Sequence, residues 1–121
     1  MIAILFELWP AAGRADDYFG LAAALKDELE RIDGFISVER FQSLTDPEKL
    51  LSLSFFRDEK AVRARRNLPG HRDAQARGRA GILADYRLRV AHVLRDYGMT
   101  IRDEAPRDSR RAHEGRLAKP R

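Results

Sequence analysis

The period of the apolar residues changes repeatedly along residues 2–94, and the order of these changes restricts the fold. Residues 2–9 are rich in β-branched and aromatic side chains and are followed by Pro10, which predicts a strand. From Tyr18 to Ile32, apolar residues recur every three or four positions, which predicts a helix with one apolar face. The chain is therefore predicted to begin with a strand and an amphipathic helix.

The second half of this region predicts two strands, a broken helix and a last strand. Residues 35–43 alternate between two faces, and residues 50–56 are almost continuously apolar, which predicts burial on both faces. Helical segments are predicted over 58–66 and 71–79, separated by a Pro-Gly pair, and a final strand over 86–94. The order βαββαβ predicts a ferredoxin-like α+β fold: a four-stranded antiparallel sheet with helices on one face. Pairing of two sheets face to face would cover the other side.

The last part of the chain differs in composition from the rest. Residues 102–121 hold seven Lys or Arg against four Asp or Glu and few large apolar residues, whereas residues 1–101 are nearly neutral. We predict a domain over 1–101 and a basic C-terminal tail over 102–121. A solvated tail is the default expectation, and a short helix packed on a partner is the alternative. Because the charge belongs to the tail, we expect no nucleic-acid partner.

Several classes of protein are excluded by what the sequence does not contain. The chain has no cysteine, so disulfides, thiolate metal sites and cysteine nucleophiles are excluded. No apolar run approaches the roughly 20 residues of a membrane span, and the first residues lack the basic region of a signal peptide. We therefore expect a cytoplasmic protein with no membrane partner. There is also no phosphate-binding glycine loop and no paired-carboxylate metal motif, so no metal site is expected.

Four segments resemble the antibiotic biosynthesis monooxygenase family of the dimeric α/β-barrel superfamily. They are D-G-F-I-S-V-E-R-F at 33–41, L-S-L-S-F-F-R-D-E at 51–59, N-L-P-G-H-R at 67–72 and D-Y-R-L-R-V at 85–90. The resemblance covers roughly residues 1–98. It implies a homodimer whose two sheets face each other, forming a dimeric α/β barrel, with one pocket per subunit between sheet and helices.

The same resemblance implies a choice of activities. Some relatives oxidise aromatic phenols or quinols with molecular oxygen and no metal or flavin, others bind and degrade haem, and many have no established activity. Relatives commonly place a tryptophan two residues before the asparagine that corresponds to Asn67. This chain has Arg65 there. An arginine cannot supply the aromatic ring that shapes the pocket of haem-degrading relatives.

Three residues are candidates for catalysis. His71 follows the Pro-Gly break and could relay protons or bind haem iron, or it could be a solvated loop residue. His92 shares an apolar strand face and could be a general base, or a histidine satisfied by a structural hydrogen bond. Glu7 lies in an apolar strand and could deprotonate a phenol. Its alternatives are a solvent-exposed place at a sheet edge and a structural ion pair with Arg40, Arg87 or Arg89.

Five further residues are candidates for binding an aromatic small molecule. Arg65 could stabilise an anion, although the basic cluster around it is usually just a solvated helix face. The aromatic residues could form the walls of a pocket, and the alternative for each is a place in the core. They are Trp9, Phe41, Phe55 and Tyr86.

The leading hypothesis is a cofactor-independent monooxygenase-like protein that acts on an aromatic phenol or quinol. It comes almost wholly from the resemblance, because the residues themselves contain no catalytic signature. The alternative is a non-catalytic dimeric domain that binds a small molecule or another protein, since a fold does not determine a function. Haem binding or degradation through His71 is a third, less favoured hypothesis.

Overall fold

The computed structural model of the protein describes residues 1–118, and side chains through residue 113. The elements follow in chain order: β1 Ile2–Pro10, α1 Ala15–Glu30, β2 Phe35–Gln42, β3 Leu50–Phe56, α2 Glu59–Arg66, α3 Pro69–Arg77, a π-helical segment Gly78–Ile82, β4 Leu83–His92 and α4 Arg107–Ala118. The strand order is β2-β3-β1-β4, and every neighbouring pair is antiparallel. This architecture confirms the predicted ferredoxin-like α+β fold.

The register of the sheet decides which side chains lie under the helices. β1 is central, and Ile4 lies between Ser54 of β3 and Val90 of β4. Because successive side chains of a strand point to opposite faces, the even-numbered residues of β1 share one face with these partners. Ile2, Ile4 and Leu8 on this face are buried. We call it the helix face, and the opposite side the open face.

The core lies between the helix face and the first two helices. Its buried members come from β1, α1, β3 and α2: Ile2, Ile4, Leu29, Phe56, Ala61 and Val62. Asp58 caps α2 by accepting a hydrogen bond from the Ala61 backbone N–H at 2.9 Å. Gly34, with φ of 93°, turns the chain from α1 into β2 beside Ala61. A β-carbon there would lie 3.0 Å from that of Ala61, so the close packing and the turn both favour glycine.

The third helix begins earlier and the last strand ends earlier than the sequence indicates. Pro69 occupies the first turn of α3, where its missing N–H leaves no hydrogen bond unmade. The predicted start at residue 71 was therefore too late. A π-helical turn then leads into β4, with Gly81 at φ of 134°. β4 ends at His92 rather than at residue 94.

The tail is helical over part of its length. Arg107–Ala118 form α4, and most of its described side chains, through residue 113, are exposed, so the tail is helical as well as solvated there. Arg110 ties the start of α4 to the preceding loop by donating to the carbonyls of Arg102 and Asp103, both at 2.7 Å. Packing on a partner stays a prediction, and so does the domain boundary after residue 101. Residues 119–121 lie outside the described part of the chain.

Candidate functional site

A cavity of about 360 Å³ lies between the helix face of the sheet and the helices. This volume is within the range of roughly 300–1,000 Å³ that is usual for small-molecule sites. Its wall is largely apolar and includes Phe6, Leu21, Leu25, Leu29, Val38 and Leu88. A ligand would therefore be surrounded mostly by hydrocarbon.

Two small residues of β3 create part of this space. Ser52 and Ser54 line the cavity from the helix face. Their partners on β1, Phe6 and Ile4, have much larger side chains. Ser54 is buried, at 4% exposure. On β2, Val38 pairs with Ser54 and Arg40 pairs with Ser52, so the alternation of β2 also points Arg40 to the cavity side.

The charged groups of the cavity wall are all potential cations. Arg40, Arg65 and Arg79 line the cavity together with His71. Among the described residues, none that lines it is an aspartate or glutamate. Burial lowers the pKa of Arg65 to about 10, so its guanidinium still carries a positive charge at neutral pH.

His71 lies near the start of α3 and contributes a neutral imidazole. Burial lowers its pKa to about 4, helped by the positive charges of Arg65 and Arg72. Its Nδ1 atom is buried with no hydrogen-bond partner. A neutral imidazole with a free ring nitrogen can accept a proton or a hydrogen bond from a ligand.

Two tyrosines mark opposite sides of the cavity. Burial raises the pKa of Tyr18 on α1, and interactions with Arg40 and Ser52 partly oppose that shift. On the β4 side, the Tyr86 hydroxyl accepts a hydrogen bond from Arg79 Nη2 at 2.9 Å. The Tyr86 ring packs edge-on against Phe6, with ring centroids 5.5 Å apart.

The structure brings three of the eight predicted site residues into this cavity: His71, Arg65 and Tyr86. His92 lies exposed at the end of β4, paired with Ile2, and does not line the cavity. Its placement as a pocket base is corrected, because the cavity-lining residues of β4, Leu83, Tyr86 and Leu88, lie nearer the start of the strand.

Glu7 lies on the open face and forms ion pairs. Its carboxylate is 3.0 Å from Lys49 Nζ and 2.9 Å from Arg89 Nη1. The structural alternative, a pair with Arg89, is confirmed, and the placement of Glu7 as a cavity base is corrected. These cations lower the pKa of the Glu7 carboxyl, with the Lys49 hydrogen bond as the largest cause.

The aromatic residues Trp9, Phe41 and Phe55 also lie on the open face, so their assignment to the cavity wall is corrected. Their positions alternate with the cavity residues Phe6, Arg40 and Ser54 on the same strands. Trp9 Nε1 donates to Asp46 at 3.0 Å, and Lys49 lies 5.3 Å from the centre of its indole. These contacts give Trp9 a structural place at the edge of the sheet.

Sequence reasoning missed five residues of the site: Tyr18, Arg40, Ser52, Ser54 and Arg79. One signal was available, because two serines at alternating positions in an otherwise apolar strand indicate space on one face. Within the described part of the chain, no group of three or more His, Asp or Glu side chains could hold a metal ion. The same residues include no helix long and apolar enough to cross a membrane.

Comparison with solved structures shows the same fold. Rv0793 from Mycobacterium tuberculosis superposes with a TM-score of 0.72 at 16% identity, over 80% of this chain and 98% of that one. SnoaB, a cofactor-independent oxygenase from Streptomyces nogalater, superposes with a TM-score of 0.67 at 14% identity, over 78% and 94% of the two chains. At these identities, the likeness concerns the fold alone.

Comparison of sequences shows the family. A jasmonate monooxygenase called ABM from Pyricularia oryzae is 46% identical over 93 residues, which is 77% of this chain. The match spans only 43% of that relative's length. The family model of antibiotic biosynthesis monooxygenases matches residues 1–77, which include the sheet strands β1–β3 and most of the cavity wall. The chain belongs to the antibiotic biosynthesis monooxygenase family.

Proposed function

We propose that this chain is a cofactor-independent monooxygenase that oxidises a small phenol or quinol in the cavity under the helices. The observation that carries the proposal is an apolar cavity with three arginines, a neutral histidine and no lining carboxylate among the described residues. Such a site favours an apolar molecule that binds as an anion. The family, and the oxygenase described for SnoaB, support oxygen chemistry.

The first step is removal of a proton from the substrate. A phenol in water ionises near pH 10, and positive charges close to its oxygen lower that value. His71 lines the cavity with a neutral imidazole, a ring nitrogen of which can take the phenolic proton. Because the imidazole of His71 is a weak base in this site, the arginine charges must supply most of the stabilisation of the phenolate.

The second step is oxidation of the phenolate by molecular oxygen. The electron-rich anion gives one electron to oxygen, and the resulting radical pair joins to form a carbon–oxygen bond. Loss of water from that peroxide leaves a quinone, so phenol plus oxygen becomes quinone plus water. All four electrons come from the substrate, so the step needs no external reductant. The protein supplies a water-poor cavity and the charge that stabilises the anion.

A second candidate substrate is an apolar carboxylic acid related to jasmonate. The observation that favours it is the relative at 46% identity, described as a jasmonate monooxygenase. Insertion of oxygen into a carbon–hydrogen bond that is not activated by a phenolate needs two further electrons. This candidate therefore requires a reductant, such as ascorbate, in addition to oxygen.

We also propose that the protein is a homodimer in which two open faces pack together. Four apolar side chains of that face are only partly buried in the single chain: Leu5, Leu51, Leu53 and Phe55. Apolar surface of this kind is stabilised when a second sheet covers it. Membership of the family supports the same arrangement.

The test of the oxygenase is oxygen consumption by purified, metal-depleted protein with a panel of phenols, hydroquinones and jasmonate. Jasmonate is assayed with and without ascorbate, and heat-denatured protein measures autoxidation. We expect uptake above autoxidation that falls at least tenfold in His71→Gln or Arg65→Gln. The variants His92→Gln and Glu7→Gln, outside the cavity, should keep the activity.

No uptake with any compound would reject the oxygenase and favour the non-catalytic binding domain. Haem titration then tests the third hypothesis, which is haem binding through His71. A Soret band that depends on His71 would favour haem binding, and its absence would remove that hypothesis.

A further inference from the structure

We propose that the β2–β3 side of the cavity is a carboxylate-binding subsite formed by Arg65, Arg40 and Tyr18. The inference rests on the proposed function and narrows it: the substrate carries a carboxylate separate from the group that is oxidised. The carboxylate would lie beside β2 and β3, and the reacting group beside Phe6, Tyr86 and Arg79, toward β4, where the Arg79 guanidinium would stabilise the phenolate.

Arg65 is a cation held in the cavity wall without a carboxylate partner. None of the seven ion pairs among the described residues includes Arg65: five use other arginines, such as Arg57 with Asp33 and Arg89 with Glu7, and two use lysines. Arg65 instead loses solvation, which lowers its pKa to about 10, and its most favourable electrostatic neighbour is Tyr18. Burial of an unpaired charge is unfavourable, so an anion that enters the cavity would be stabilised there.

Tyr18 does not serve as that anion. Because burial raises its pKa above the ordinary value, its hydroxyl stays protonated and uncharged at neutral pH. A protonated hydroxyl beside two guanidinium groups is a hydrogen-bond donor for an incoming oxygen. Arg40 reaches the same place because it pairs with Ser52 in the sheet, and both of these residues interact with Tyr18.

Glu28 does not neutralise the subsite either. Its carboxylate lies against Gly70, where an added β-carbon would come within 2.5 Å of Glu28 Oε2. It is not part of the cavity wall and forms no ion pair among the described residues. Glu28 Oε2 is buried beside the start of α3 with no hydrogen-bond partner among the described residues, and the positive end of a helix favours a negative charge nearby.

The chemistry of the subsite fits two sources of carboxylate. One is a phenol or quinol that carries a carboxylic acid, and the other is an apolar acid of the jasmonate type. Both present one carboxylate to two guanidinium groups and a hydroxyl, and both leave an apolar body for the rest of the cavity. A guanidinium group binds carboxylate through parallel N–H donors, which fixes its orientation.

Matched ligand pairs test the subsite by calorimetry. The probes are 2,5-dihydroxybenzoate against its methyl ester, and jasmonate against methyl jasmonate. We expect the wild-type protein to bind at least one acid tenfold or more tightly than its ester. Arg65→Gln should remove that preference, Arg65→Lys should restore part of it, and Arg63→Gln on the exposed side of α2 should keep it.

Equal affinity for acid and ester in both pairs would overturn the proposal, and so would a preference that survives in Arg65→Gln. Thermal unfolding of each variant shows whether it is folded. If Arg65→Gln is unfolded, Tyr18→Phe serves instead: it removes only the hydroxyl and should reduce the preference for the acid several-fold. An unchanged preference there would also reject the subsite.

The His71 resonance gives a second readout that a merely structural arginine would not change. Burial lowers the pKa of His71 most, and the positive charges of Arg65 on α2 and Arg72 on its own helix lower it further. On α1, the carboxylate of Glu28 lies against Gly70, the residue before His71. A carboxylate bound at Arg65 would offset that positive charge and raise the pKa of His71. We expect the acid, and not its ester, to shift the NMR titration of His71 upward.

These outcomes separate the two proposals, because binding and NMR titration need no turnover. A preference for the acid without oxygen uptake would reject the oxygenase and keep the carboxylate subsite. Oxygen uptake from phenols, with equal binding of acid and ester, would reject the subsite and keep the oxygenase.

Discussion

The two faces of the sheet carry charge in opposite ways. On the open face, Glu7 is matched by Lys49 and Arg89 within 3.0 Å. On the helix face, Arg65 lies in the cavity wall with no carboxylate beside it. Matched charges give the protein little affinity for further ions, whereas an unmatched one stabilises an incoming anion. The comparison teaches that an arginine in a strand or helix says little about binding until its partners are known.

The largest expected difference between the faces concerns two adjacent phenylalanines. Phe56 is fully buried on the helix face and packs edge-on against Phe35, whereas Phe55 on the open face is partly buried. We expect Phe56→Ala to lower the free energy of unfolding by about 3–5 kcal/mol, as for other core phenylalanines. Phe55→Ala should lower the free energy of unfolding of the single chain by a smaller amount. Chemical denaturation measures both.

The dimer proposal sharpens that comparison. If two open faces pack together, Phe55→Ala should also weaken association, and sedimentation should detect a rise in the monomer fraction on dilution. Loss of stability without any change in association would contradict a dimer through this face. Equal destabilisation by the two variants at a concentration where the protein is monomeric would contradict the difference between the faces.

An intermediate effect is expected from pH, through His71. Its pKa is about 4 in the folded protein, against an ordinary value of 6.5, so the unfolded chain takes up the proton first as pH falls. Stability should therefore decrease from about pH 7 toward pH 4, by about 1–2 kcal/mol from this group after allowance for solvent screening. His71→Gln should flatten that part of the profile. A profile that stays as steep as wild type in urea denaturation would show that His71 is not the cause, and His92→Gln is the matched control.

The smallest effect is expected on the open face, at Glu7. Its pKa is lowered by Lys49 and Arg89, so the stabilisation is present above the ordinary value of 4.5 and is lost as pH falls through the folded value. Glu7→Gln should lower the melting temperature slightly at pH 7 and leave carboxylate binding unchanged. A melting temperature equal to that of wild type would show that these exposed pairs contribute nothing, and weaker ligand binding would show that the faces are coupled.

The fold could be predicted from the sequence because the period of apolar residues changes with each element. The site could not be predicted in the same way, since β1 is apolar at both even and odd positions, as Leu5, Phe6 and Leu8 show. Only the pairing with β3 and β4 shows that Phe6 lies under the helices and that Glu7 and Trp9 do not. Arg65 was identified through the family resemblance, because a tryptophan is usual at its position.

Tyr18 and Arg40 escaped prediction for a different reason. They are 22 positions apart in the chain, and they meet only because α1 packs over the β2–β3 pair. Neither residue has a sequence pattern of its own that indicates a site. The proximity of the two residues follows from tertiary contacts between distant elements, and the local spacing of apolar residues does not indicate it.

Side chains along β3 alternate between the two faces of the sheet, and this alternation restricts which sequence changes the protein tolerates in evolution. Ser52 and Ser54 leave space in the cavity, while Leu51, Leu53 and Phe55 point the other way. Insertion or deletion of one residue within β3 would exchange the two sets, filling the cavity with leucine and placing serines on the apolar face. Substitutions can adjust the pocket one side chain at a time, whereas a change of length in β3 moves every residue beyond it to the other face. Related chains with different substrates should therefore differ in the residues of β3 and keep its length.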